Sequence, residues 1–329
     1  MRTFYSIIFA IGLLFVTDTC FSELKSKPEI KKEKIKIRIG WYPLWPIEGQ
    51  IVQVLKKTDI LAKHGLEAEF VATDNAPGMM ELTMGNKVDA ALMTDQNAVN
   101  LFMKNNNWVA IARLPYSRVA TYVPLNSDIN SVKDLKGKQV GVLYGSAAQR
   151  LLTKSLDKNK VTNVRFVNTI PIEQIPLLFN KVKSQKQWGD FDAFTASDPI
   201  PAFLEIEENA KIIDKGKTCG LVVVNKKFLD KDEKLALNFI KSVEEAQEYY
   251  RKNTKEVNGW YIEESKMLRA TNRTFLLAGE LEPNLKKGKK IVTAFSTDDF
   301  GLIQEAADFA SKTTFKKIDV KDFVTNKYQ

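Results

Sequence analysis

The sequence predicts an α/β protein of two lobes joined by a two-strand hinge, with a helical C-terminal tail. Three observations predict it. Strand and helix patterns alternate from Ile35 to Leu114, the alternation restarts after Ser131 and runs to Val224, and the remainder is mostly helical. Alternation of this kind implies right-handed crossovers and a largely parallel sheet. The 329 residues exceed one comfortable core, and a 44% hydrophobic content excludes disorder.

Ile35, Ile37 and Ile39 alternate with Lys36 and Arg38, the signature of a half-buried strand. A turn-rich run, Trp41 to Pro46, follows. Ile51 to His64 reads as a helix closed by Gly65, and Glu67 to Val71 as a second strand. Asp74 to Gly78 is a turn into a helix ending near Gly85. Val88–Met93 is a strand, Asn97–Lys104 a helix and Val109–Leu114 a strand. After the restart, Ser131–Lys138 is a helical turn, Gln139–Leu143 a strand and Ala147–Asp157 a helix. Val164–Val167 reads as strand, Pro171–Lys183 as helix, and Phe191–Thr195, Lys211–Ile213 and Leu221–Val224 as three strands. Helices are expected over Asp232–Lys252, Glu256–Leu268, Asn272–Leu277 and Thr297–Lys312. A chain that leaves the first lobe near Ala120 and returns near Val223 crosses twice, and a cleft opens beside the crossings where strand carboxyl ends meet. The domain reading is 35–120 and 223–329 for the first lobe and 121–222 for the second.

The first residues read as an address. Ile7 to Val16 is a ten-residue apolar run behind Met1-Arg2, too short for a span of about 20 residues and the length of a signal-peptide core. Cleavage after Ser22 gives a signal peptide over 1–22. An uncleaved anchor, or a lipoprotein cut before Cys20, are the competing readings, although Thr17-Asp18-Thr19 departs from the lipoprotein pattern. Residues 23–34 read as a flexible lysine-rich segment broken by Pro28.

The net charge of +9 permits anionic partners without choosing one. One histidine and two cysteines exclude a Cys/His zinc site and a disulfide framework. No catalytic group, metal site or cofactor is expected. Cys219 reads as a small buried hydrophobe, and His64 as a group stabilising a helix end. The lysine pairs are scattered and not interleaved with aromatics, so no nucleic-acid partner is expected.

Seven segments, in order, carry a family resemblance: IKIRIGWYPLW (35–45), ILAKHGLEAEFV (60–71), MELTMGNKVDAALMT (80–94), INSVKDLKGKQVGVLYGSAAQRLL (129–152), FDAFTASDP (191–199), LVVVNKKFLDKDEKLALNFIKS (221–242) and VKDFVTNKY (320–328). The chain resembles substrate-binding proteins of ABC importers, of the sulfonate/nitrate/taurine and thiamine-precursor-like group. The resemblance implies the type II periplasmic-binding-protein fold. It further implies a monomeric, periplasmic or extracytoplasmic protein, soluble or anchored at Cys20, that captures a small nutrient by hinge closure and hands it to an ABC permease. The implied ligand is an organic anion such as a sulfonate, taurine or nitrate, or a heterocyclic thiamine precursor. The histidine- and cysteine-rich site of the eukaryotic pyrimidine-synthase relatives is missing. A ligand sensor for a membrane receptor, or an enzyme on the same fold, are the rival readings.

Candidate ligand contacts follow from these readings. Gly145 and Ser146 open a helix whose free N–H groups favour an anion, and Asn75, Ala76 and Pro77 open another in the same way. Thr94 and Asp95, and Ser197 and Asp198, follow strands and could reach the cleft. Trp41, Tyr42 and Trp45 offer an aromatic wall, one of them expected in the site and two in packing. Arg113, Arg118 and Arg150 are candidate counter-charges, and Arg113 is the one expected at the ligand. Glu48 would disfavour a simple anion if it faced inward, but a loop glutamate ordinarily faces water.

Overall fold

The computed structural model describes residues 34–170, 174, 185–232, 234–265, 267 and 269–329. The signal peptide, Cys20 and all but Lys34 of the flexible segment lie outside the described residues. So does the helix expected over Pro171–Lys183, Gln174 apart.

The strands are β1 Ile35–Trp41, β2 Leu66–Ala72, β3 Ala90–Thr94, β4 Trp108–Pro124, β5 Gln139–Val142, β6 Arg165–Asn168, β7 Ala193–Ser197 and β8 Ala210–Asn225. The helices that follow the early strands are α1 Glu48–Lys57, α2 Ile60–Lys63, α3 Ala76–Met84, α4 Asp95–Lys104 and α5 Ala147–Asn159. The later ones are α6 Ile200–Ile206, α7 Lys226–Leu229, α8 Leu235–Lys252, α9 Thr254–Ser265, α10 Asn272–Ala278 and α11 Thr297–Thr314.

The eight strands run in the order β2-β1-β3-β8-β4-β7-β5-β6. Two parallel blocks, β2-β1-β3 and β7-β5-β6, flank the antiparallel pair β8 and β4. This is the α/β arrangement expected, with one correction. The two blocks belong to one sheet, because the crossing strands are long, pair with each other, and each pairs with one block. β3 pairs β8 at Gly220–Val224, whereas β7 pairs β4 at Val119–Tyr122. β4 has 17 residues, not the six read from Val109–Leu114. β8 has 16 and fuses the two strands read at Lys211–Ile213 and Leu221–Val224. The joining residues, Asp214 to Gly220, are polar or glycine apart from Cys219 and show no apolar alternation; pairing with β4 extends them. Pro115 is accommodated where the β4–β8 register shifts between Leu114 and Tyr116, since a proline tolerates only an edge or a bulge.

A second correction concerns the helix read from Ile51 to His64. It begins at Glu48 and breaks at Thr58, which is extended (φ −123°, ψ 172°) and donates its hydroxyl to the Val54 carbonyl. α2 then ends at Gly65, whose φ of 74° is the left-handed value a helix terminus favours in glycine.

The apolar faces explain the layering. Ile51 and Leu55 of α1 pack with Phe239 and Val243 of α8 over Ile37 and Ile39. On the opposite face Val99 of α4 meets Ile303 and Ala307 of α11. In the second block Leu152 and Leu156 of α5 cover Val140, and Tyr122, Trp188 and Phe194 form an aromatic cluster. Burial of side chains of this size is worth roughly 1.5–3 kcal/mol each. The carboxyl ends of β1, β3 and β5 are left to be followed by turns and helix starts.

Candidate functional site

Three of those turns meet beside the β4–β8 crossing. The first runs from Trp41 to Glu48. Trp41 is buried in the core with Ile37 and Ile39, under the Lys56 ammonium 5.3 Å from its ring. Tyr42 is buried edge-on to Trp45, their centroids 5.0 Å apart. Its hydroxyl accepts from Asn97 Nδ2 at 3.5 Å.

The second turn is the junction of β3 and α4. Thr94 caps α4, its hydroxyl accepting from the Asn97 N–H at 3.4 Å. Asp95 is wholly buried. Its carboxylate accepts from Arg150 Nη2 at 2.9 Å, the Cys219 N–H at 3.0 Å, the Gln96 N–H at 2.6 Å and the Thr218 hydroxyl. Arg150 also donates to Gln96 Oε1 at 3.2 Å.

The third turn joins β5 to α5. Gly145 has φ 71°, and its N–H donates to Gln149 Oε1 at 2.7 Å. Ser146 caps α5, accepting from the Gln149 N–H at 3.2 Å and donating to the Leu143 carbonyl at 2.6 Å. Asn100 of α4 donates to the Gly145 carbonyl at 3.4 Å. α4 from the first block and α5 from the second are thus tied through Arg150 and Asn100, and Lys154 of α5 makes an exposed pair with Glu305 of α11 at 2.6 Å.

The other expected contacts sit elsewhere. Asn75 caps α3 through the Gly78 N–H at 2.8 Å, and Ala76 and Pro77 form its first turn, beyond the end of β2. Arg113 grips Glu282 with two bonds of 2.8 and 3.0 Å, and Glu282 also accepts the Tyr116 N–H. Asp198 accepts from Arg118 at 2.8 Å and from the Ala202 N–H at 2.8 Å, while Arg118 reaches Glu205 as well. Burial pushes the Asp198 carboxyl up while Arg118 pulls against it. Ser197, half-buried, ends β7. All three arginines considered as counter-charges are therefore held by carboxylates of this chain.

Glu48 reverses its expectation. It is the first residue of α1, 3% exposed, and neither carboxyl oxygen has a hydrogen-bond partner among the described residues. Burial, and then the negative charge of Asp95, push its carboxyl up to about 8. Tyr261 of α9, fully buried, also has an unpartnered hydroxyl. The sequence names Glu48 but points it to water and gives no signal for Tyr261, because what covers them is remote along the chain: β8 passes Glu48 at Gly220, and α1 meets the Tyr261 ring at Gly49.

Cys219 is buried, and burial first, then Asp299 and Asp95, push its thiol well up, the opposite of an activated nucleophile. His64 Nε2 lies 3.0 Å from Glu245 of α8. Among the described residues no group of three or more His, Cys, Asp or Glu could hold a metal ion, and no helix is long and apolar enough to cross a membrane.

Two parallel blocks crossed by two strands, with helix starts facing one another beside the crossing, define the type II periplasmic-binding-protein fold. Comparison with known proteins agrees. The profile of the NMT1/THI5 like family matches residues 56–257, and the chain belongs to that family. A Bacillus subtilis (strain 168) protein, named as a proposed aliphatic sulfonates-binding protein, is 24% identical over 284 residues, 82% of this chain and 80% of its own. The alkanesulfonate-binding protein SsuA from Xanthomonas axonopodis pv. citri, solved bound to MOPS, superposes with a TM-score of 0.71 at 16% identity, covering 89% of this chain and 99% of that one. DszB, a desulfurization enzyme solved with biphenyl-2-sulfinic acid, shares the fold at a TM-score of 0.67 and 11% identity, covering 90% of this chain and 97% of that one.

Proposed function

We propose that this chain is the extracytoplasmic solute-binding protein of an ABC importer. It clamps a small molecule between a first lobe (35–120 and 223–329) and a second (121–222). The permease reads the closed form. The observation that carries this reading is the tie between the two blocks: Arg150 of α5 bonds Asp95 and Gln96 of α4 beside the strand pair on which the blocks would swing. Opening exchanges these bonds for water. Ligand that touches both lobes favours closure, because only the closed form offers both sets of contacts.

Family membership and the fold shared with SsuA support the transport role. The ligand is a small organic anion such as a sulfonate, taurine or nitrate, or a heterocyclic thiamine precursor. Export follows from the signal-peptide pattern of 1–22, with Cys20 as the alternative anchor. The enzyme reading draws on the fold shared with DszB, but Cys219 is sealed and Asp95 is fully bonded, so neither is poised as a nucleophile. Mass spectrometry of small molecules released from the purified protein, with X-ray scattering before and after their return, tests the proposal. One copurifying molecule that compacts the protein is expected. No bound molecule and no compaction, or turnover of the molecule, overturns it.

A further inference from the structure

Glu48 is the acidic side chain at this junction that no contact among the described residues accounts for, and its place is closely built. A Cβ on residue 220 would sit 2.4 Å from its Oε1, 2.8 Å from Leu114 Cβ and 2.9 Å from the Pro115 carbonyl, so only glycine lets β8 pass beneath the carboxyl. The turn that delivers it is strained: Ile47 has φ 73°, rare for a β-branched residue, and its N–H is held by Gln50 Oε1 at 2.5 Å. Gly49 allows the Tyr261 ring to pack against the same turn, where a Cβ would lie 2.2 Å from it. The unpartnered Tyr261 hydroxyl and the unpartnered Glu48 carboxyl thus flank one turn of α1, and the Glu48 carboxyl lies over Gly220, the residue after Cys219, whose N–H bonds Asp95.

A buried acceptor without a donor is costly, and it persists where function uses it. An anion relieves it only in part: it can accept the single O–H of the protonated carboxyl but leaves the other oxygen without a donor, and it repels the ionised form. Arg113, Arg118 and Arg150 are all engaged, so no free guanidinium among them balances an anion here. An ammonium or amino group supplies two or three donors and, when charged, the counter-charge. Resting on the solute-binding reading above, we infer that the ligand carries an N–H donor, a protonated amine or an amino-substituted heterocycle, and that Glu48 receives it, with the Tyr261 hydroxyl as a second contact.

Titration calorimetry of the full mature chain with two matched pairs tests this: taurine against ethanesulfonate, and 4-amino-2-methylpyrimidine against 2-methylpyrimidine. In at least one pair the amino member binds tenfold or more tighter, and Glu48→Gln, equal in shape, cuts that advantage below threefold. Should Glu48→Gln fail to fold, Tyr261→Phe carries the test, since it keeps the ring and removes the hydroxyl, and it reduces the advantage at least threefold. Equal binding within both pairs, an advantage unchanged in the variant, or no binding of any of the four overturns the inference. None of these results touches the copurification and compaction measurements, whose failure would be seen separately.

Discussion

At the scale of single residues, the buried charges divide into satisfied and unsatisfied. Glu48 belongs to the second group, and its carboxyl, ordinarily near 4.5, is raised to about 8. A carboxyl raised on folding makes the native state hold its proton between those values while the unfolded chain releases it. Stability contributed by Glu48 is therefore intact below about pH 4.5 and is lost as pH rises to about 8, by on the order of 3–5 kcal/mol. Ligand-free Glu48→Gln lacks this slope, and thermal melts from pH 5 to pH 9 are expected to diverge, with the variant more stable at the upper end. Arg113 belongs to the first group. Arg113→Met strands the buried Glu282 carboxylate, and urea unfolding at neutral pH should show a loss of about 3–5 kcal/mol.

At the scale of elements, the β5–α5 turn shows how local chemistry sets a helix start. Gly145 takes φ 71°, and Ser146 turns its hydroxyl back to the Gln149 N–H. Ser146→Ala removes that cap, with an expected cost of about 1 kcal/mol in chemical denaturation. The four segments Asn75–Pro77, Thr94–Asp95, Gly145–Ser146 and Ser197–Asp198 were each legible as strand-to-helix junctions, because capping residues and apolar periodicity are local signals. What their side chains bond was not legible. Asp95 and Asp198 each find an arginine 55 and 80 residues away.

For the whole molecule, the two parallel blocks are tied by buried contacts between α4 and α5 and share the β4–β8 pair. Arg150→Ala removes the buried guanidinium that bridges them. It leaves Asp95 with the Thr218 hydroxyl and the Cys219 and Gln96 N–H groups. Small-angle scattering of the ligand-free variant should show a larger radius of gyration than wild type, and ligand release should be faster by roughly tenfold or more, the weight of about 1.4 kcal/mol lost from the closed form.

The sequence by itself determined the α/β class, the order of most strands and helices and the neighbourhood of most helix starts, because those follow from periodicity, caps and turn residues read over a few positions. Only the tertiary structure decided that β8 runs unbroken through Asp214–Gly220, that three arginines are taken by Glu282, Asp198 and Asp95, and that Glu48 lies sealed above Gly220. Each depends on a partner far along the chain, and desolvation, unlike helix propensity, is a property of what packs around a group, not of its neighbours in sequence.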